Sequence, residues 1–289
     1  MRFGHLAQRL FNTPIAIRPD KAEVIMAALA ERLGVARMVR LDGAELSLEP
    51  MALDGDGYAY RGEDRGYDVA GGVALIPVHG TLVQKTGTLR PYSGMTGYDG
   101  VRQAFLTAIE DPEVRAIVLD VDSPGGEVSG CFDLVDTIYA ARGSKPIWSI
   151  LNESAFSAAY AIASAADRVT VPRTGGVGSI GVICMHVDWS KALTSAGIQV
   201  TFITYGDRKT DGHPEIPLSK EAFERFQTDI NTMGELFVGT VARNRNIAAS
   251  KVRDTEAATF LGATGVAQGL ADSVAAPDAA FRALLAELA

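Results

Sequence analysis

An α/β fold with a mainly parallel sheet is what this sequence predicts, on three observations. From Val73 onward, short apolar, partly β-branched runs alternate with stretches of helical period. One of these runs, Ala116-Ile117-Val118-Leu119, leads into D-V-D-S-P-G-G at 120–126 and then an amphipathic stretch carrying Cys131, Leu134, Val135 and Ile138. The 289 residues are 47% hydrophobic and 21% charged, enough apolar material for one large core or two ordinary ones.

Residues 1–53 read as a helical N-terminal extension. Asp20 and Glu23 form a capping-box-like start, and Val24, Ala27, Ala28 and Leu29 share a face before Gly34. Residues 54–72 are rich in glycine and acid without apolar period, and read as a linker or mobile arm. The main domain spans 73–275. Its candidate strands are 73–78, 115–121, 146–151, 168–171, 181–187 and 198–204. Helices are expected near 98–110, 127–142, 155–165 and 189–196, with a long one at 219–245 on Phe223, Phe226, Ile230, Met233, Phe237 and Val241. A C-terminal helix covers 276–289. No internal repeat or low-complexity segment interrupts this order.

Composition narrows the function. A net charge of −8 and a pI near 5.1 argue against a nucleic-acid partner. The longest apolar runs fall short of about 18 residues, so no membrane span is expected. Arg9, Asn12 and Arg18 break up the N-terminus, which does not read as a signal peptide. Cys131 and Cys184 have neither disulfide-framework nor metal-ligand spacing, so no metal or cofactor is expected. A cytoplasmic protein is the expectation.

Four stretches carry possible chemistry. The Pro124-Gly125-Gly126 turn, followed by a helix expected from Glu127, would set backbone N–H groups at a helix N-terminus, where an oxyanion can be held. The same residues also suit a plain strand-to-helix connection. Ser157 opens an expected helix of small residues, S-A-A-Y-A-I-A, with the N–H of Ala158 beside it. The other reading there is a buried alanine-rich helix whose serines bond back to carbonyls. Ala155 and Ala159 stand where a G-x-S-x-G elbow has glycine. A nucleophilic serine needs a base. None of His5, His79, His186 and His213 lies in a motif that ties it to Ser157. Lys209, in Y-G-D-R-K-T-D-G-H-P, can serve if burial lowers its pKa from about 10.4; by itself it reads as a solvated charge. Ser179, in G-G-V-G-S-I-G-V at 175–182, could hold an amine; its glycines otherwise read as turns.

Together these stretches resemble the signal peptide peptidase A (protease IV) family of Ser-Lys serine peptidases. The resemblance runs over roughly 73–275. It includes I-P-V-H-G at 76–80, D-S-P-G-G at 122–126, S-A-F-S-A-A-Y at 154–160, G-S-I-G-V at 178–182 and F-L-G-A-T-G-V-A-Q-G-L-A-D-S-V at 260–274. It implies a Clp protease/crotonase-like fold, Ser157 as nucleophile and Lys209 as general base. The amides of Gly126 and Ala158 would form the oxyanion hole, and Ser179 would orient the lysine. Gly125 and Tyr160 would bind substrate. Many relatives carry Ser-Gly-Gly-Tyr where this chain has Ser157-Ala158-Ala159-Tyr160, a change that bears on pocket shape more than chemistry.

The form K-T-D-G-H-P at 209–214 is similar to that of phage or prophage head (capsid) proteases. That branch implies a scaffold, portal or coat protein as substrate, a homo-oligomer, and action inside an assembling procapsid. Two rivals remain: a crotonase-like acyl-CoA enzyme, and a catalytically degenerate assembly scaffold. Self-cleavage in the exposed 54–72 segment is a further expectation.

Overall fold

The computed structural model describes residues 13–19, 21 and 64–289. In chain order the strands are β1 (Ile15–Ile17), β2 (Asp68–Ala70), β3 (Val73–Val83), β4 (Met95–Gly97), β5 (Ala116–Glu127), β6 (Ile147–Phe156), β7 (Arg168–Val171), β8 (Gly176–Gly178), β9 (Thr259–Leu261) and β10 (Ser273–Val274). The helices are α1 (Tyr98–Glu110), α2 (Cys131–Ala140), α3 (Ala158–Ser164), α4 (Ser190–Ser195), α5 (Lys220–Arg245), α6 (Ala249–Arg253), α7 (Gly262–Ala267) and α8 (Pro277–Glu287).

All ten strands join one sheet, whose main path is β10-β7-β6-β5-β3-β2. Every pair on that path except β2–β3 is parallel. The expected α/β class with a mainly parallel sheet is what the chain adopts. Period-two alternation along β5 explains the layering. Ile117, Leu119 and Val121 face a core with Phe105 of α1, Leu134 and Ile138 of α2, α3, and Phe237 of α5. Ala116 and Val118 face the other way, against Trp148, Ile150 and the α8 residues Ala280 and Leu284. A strand buried on both faces reads as a continuous apolar run, as this one does.

Several expectations need correction. Strand β5 does not stop at Val121 and turn; it runs through Asp122-Ser123-Pro124-Gly125-Gly126 to Glu127. Both of its edges are occupied there, by Thr81 and Leu82 of β3 and by β1. Helix α2 starts only at Cys131, behind a left-handed Gly130, so the Gly126 amide lies in a ladder and not at a helix N-terminus. The glycines at 176–178, read as turns, form β8 between β6 and β9.

The strands expected at 181–187 and 198–204 are not formed; Ile183 makes one isolated bridge, to Ile15. Ile198, Ile203 and Tyr205 are exposed at 52%, 98% and 102%. A β-like pattern without a neighbouring backbone cannot satisfy its N–H and C=O groups as a strand. The extension at 1–53 and the linker at 54–72 fall mostly outside the described residues. Of the described part, Ile15–Ile17 and Asp68–Ala70 are strands.

Candidate active site

Ser157 sits where β6 ends and α3 begins, with φ 54° and ψ −123°. Such a conformation is costly for a residue with a Cβ and persists only where its surroundings enforce it. Here they do. The Ser157 N–H donates to Gly178 O at 2.8 Å, and the Ser157 carbonyl accepts from Ala161 N–H at 2.9 Å, within α3. The hydroxyl donates to Gly181 O at 3.4 Å, and the residue is 1% exposed. A strained strand-to-helix elbow is therefore present without the flanking glycines of the G-x-S-x-G motif.

Helix α3 is wholly buried. Its alanines let it lie between the sheet and α2 and α5, and Ala158 and Ala159, the departures from the family pattern, are both packed. The Ala158 N–H is in the first turn, where no helical carbonyl is available to it. At the far end, Arg142 spreads its guanidinium over the carbonyls of Ser164 (3.0 Å), Ala165 (2.8 Å), Ala166 and, on α5, Asn244 (3.1 Å). A cation at a helix C-terminus is favourable both as a donor and against the dipole. Asn244 also donates to Ser164 Oγ at 2.9 Å. Nothing in the spacing of Arg142 announced this role.

The glycine pair lies across from Ser157. Gly125 has φ +103°, and a Cβ built on it would lie 2.2 Å from Ala16 O and 3.0 Å from Ser157 Cβ. On Gly126 a Cβ would meet Leu82 O at 1.8 Å. Both positions exclude a side chain, one by conformation and both by contact. Ser123 braces the bend: its hydroxyl donates to Gly80 O at 2.6 Å and accepts from Gly125 N–H at 3.1 Å.

The other expected site residues fare unevenly. Ser179 is close by in the chain fold: it follows Gly178, is 7% exposed, has φ 55°, and donates its N–H to Ala258 O at 2.9 Å. Tyr160 is fully buried, with its hydroxyl donating to Leu270 O at 2.8 Å. It is a core residue pinning α3, so the substrate-binding role does not suit it. Lys209 is solvent-exposed, in a turn closed by its own N–H on Gly206 O at 3.1 Å. No hydrogen bond joins it to Ser157, and the burial expected under a 198–204 strand is absent because that strand is absent.

His79 and His213 are each engaged with partners other than Ser157. His79 pairs with Asp120 at 3.0 Å on the sheet face beyond α8; that hydrogen bond holds its pKa above the ordinary value, against the burial that lowers it. His213 pairs with Glu215, and its ring lies 4.3 Å from that of Phe202, tilted by 59°. Cys131 is buried with its thiol pushed up to about 12 by desolvation, which makes it inert. Among the described residues no cluster could hold a metal ion.

A mainly parallel α/β sheet, a serine on a strained elbow and a glycine-rich backbone ladder facing it define an α/β class of protein with a serine-centred site. The chain belongs to peptidase family S49, whose model matches residues 140–289. It is 39% identical over 274 residues to the head-tail preconnector protein GP5 of Enterobacteria phage P21, covering 94% of this chain and 55% of that one. To the capsid assembly protease C of Escherichia phage lambda it is 38% identical over 275 residues, covering 93% and 62%. A putative signal peptide peptidase SppA of Enterococcus faecium is 26% identical over 191 residues, covering 64% and 56%. The chain thus spans less than two thirds of the length of these relatives. The resemblance to the protease IV family and to its phage branch, read from the motifs, agrees with these matches.

Proposed function

We propose that this chain is a serine endopeptidase acting on protein substrates during phage capsid assembly. The observation that carries the reading is Ser157, held 1% exposed at φ 54° and ψ −123° opposite Gly125 and Gly126. Strain of that kind at a potential nucleophile fits pre-organisation better than packing. Membership of a peptidase family supports the chemistry, and the two phage relatives, named for capsid assembly and for the head-tail preconnector, support the setting.

In this reading Ser157 Oγ attacks a peptide carbonyl, the amides of Gly126 and Ala158 hold the oxyanion, and water later releases the acyl group. Lys209 takes the Ser157 proton, and Ser179 orients the amine. Because Lys209 stands in solvent in the single chain, the dyad must close by movement of the 198–212 segment. The exposed apolar residues of that segment, Ile198, Ile203 and Tyr205, would gain cover in the homo-oligomer that the family resemblance implies. The site's action would lie in the procapsid. Among the described residues no helix is long and apolar enough to cross a membrane.

The test is hydrolysis of casein and of phage scaffold, portal and coat proteins by the wild type and by Ser157→Ala. Cleavage by the wild type that vanishes in Ser157→Ala is expected. Equal turnover by both would remove Ser157 from the mechanism.

A further inference from the structure

Strand β1 has no place in the sequence pattern, yet it is bonded on both edges beside Ser157. On one edge it runs antiparallel to Gly125–Glu127, with Ala16 opposite Gly126. Val128 N–H donates to Pro14 O at 3.4 Å and Arg18 N–H to Pro124 O at 3.1 Å, flanking that pair in the same ladder. The alternation of an antiparallel ladder then makes Ala16 and Gly126 the residues that exchange both main-chain bonds, so the Ala16 carbonyl accepts from the Gly126 amide. On the other edge Ile15 N–H donates to Ile183 O at 2.9 Å and Ile183 N–H to Ile15 O at 3.0 Å.

This is how an extended peptide binds a sheet edge: main-chain bonds give the grip, and pockets take the side chains. Ile15 and Ile17 are 4% and 5% exposed against Ile183, while Ala16 is 1% exposed in a place that fits a methyl group. The Arg18 guanidinium lies 4.8 Å over the Phe156 ring, anchoring the chain on the far side of the Ala16–Ile17 bond. The point where a Gly125 Cβ would stand is 2.2 Å from Ala16 O and 3.0 Å from Ser157 Cβ. The carbonyl and the serine therefore crowd the same point from two sides.

We infer that residues 14–18 are this enzyme's own first substrate, presented in cis, and that the bond cut is Ala16–Ile17. The inference rests on the peptidase reading above. Ser157 Oγ bonds to the Ala16 carbonyl carbon as its proton passes to the base. The Ala16–Ile17 C–N bond breaks with the proton going to the new Ile17 amine. Water then hydrolyses the ester, leaving the Ala16 carboxylate and the regenerated hydroxyl. Until that cut, β1 fills the cleft that any other protein must enter. The cut falls outside the 54–72 segment, where exposure alone suggested self-cleavage.

Intact-mass measurement and N-terminal sequencing of the full chain test this, alongside casein hydrolysis. The wild type should show a new N-terminus at Ile17, and Ser157→Ala should keep residues 1–16. Ala16→Phe, with a ring where a methyl fits, should slow its own cleavage at least tenfold, and its casein hydrolysis should lag until that cut is made. Ser157→Ala mixed with active wild type should stay uncut, since its segment is seated in its own cleft. A wild type that hydrolyses casein but keeps residues 1–16 overturns the inference and leaves the peptidase reading standing. So does an intact wild type whose casein rate rises when residues 1–16 are deleted, which would make β1 a plug. A wild type that cuts neither itself nor casein overturns both.

Discussion

The Ser157 N–H donates to the Gly178 carbonyl at 2.8 Å, and this bond ties together two loops that each hold a serine at positive φ. Ser157 has φ 54° and Ser179 φ 55°. Strand β8, which carries Gly178, is pinned by β6 on one side and β9 on the other, so the elbow's geometry is imposed from outside α3. The stored strain should be measurable. Ser157→Gly, which adopts that conformation freely, should abolish hydrolysis and stabilise the fold by about 1 kcal/mol. Urea denaturation with matched activity assays checks it. A Ser157→Gly chain markedly less stable than the wild type would show that the hydroxyl contributes more than the strain costs.

Gly126 should tolerate nothing larger. A Cβ there falls 1.8 Å from Leu82 O, a backbone atom of the paired β3. Gly126→Ala must therefore spread the β3–β5 ladder beside Ser157. It should cost roughly 1–3 kcal/mol as an overpacking change and lower kcat far more than it raises KM, because the amide proposed to hold the oxyanion shifts. Kinetics on a peptide ester with a thermal melt decide it. Full activity in Gly126→Ala would take this amide out of the oxyanion hole.

What the sequence made legible follows from where its signals arise. The layers were readable because Ile117, Leu119 and Val121 alternate with Ala116 and Val118, and because α5 repeats its apolar residues at helical spacing. Ser157 and the Gly125-Gly126 pair were findable because small residues cluster where backbones approach closely. The glycine pair was misplaced, however, since a Pro-Gly-Gly run looks like a turn until β1 and β3 pair with it. Long-range partners left no local mark: Ala16 on Gly126, and Arg142 on the α3 carbonyls, lie far apart in the chain. Lys209 is the opposite case. Its motif matched, but the 198–204 pattern that was to bury it has no strand beside it.

Arg245 and Asp272 clamp the end of α5 to the segment before β10, with bonds of 2.6 and 3.0 Å. Burial pushes the Asp272 carboxyl up, but the Arg245 hydrogen bonds and the Val169 N–H outweigh it and hold its pKa below the usual value. A carboxyl depressed in the folded state adds stability above its unfolded pKa of about 3.9, and that stability is lost as pH falls through the folded value. Asp272→Asn should thus be less stable at pH 7, by about 1 kcal/mol once solvent screening of this partly exposed pair is allowed for. The difference should shrink below about pH 4. Urea midpoints from pH 3 to 8 read it directly; a gap that widens in acid would contradict the linkage.

Lys209 gives the sharpest test of the proposed base, because its surroundings in the single chain are those of an ordinary surface residue. Its side chain is exposed, so Lys209→Ala and Lys209→Arg should both leave the melting temperature within about a degree or two, as surface changes do. A base must nevertheless surrender its proton, and a guanidinium cannot. Lys209→Arg should therefore be as inactive as Lys209→Ala, at least a hundredfold below the wild type by the usual weight of general-base catalysis, about 10² or more. Lys191, on the exposed α4, is the matched control, and Lys191→Ala should keep wild-type turnover. Steady-state hydrolysis of one peptide by the four proteins at equal concentration settles the assignment. Substantial activity in Lys209→Arg, or its loss in Lys191→Ala alone, would move the base elsewhere.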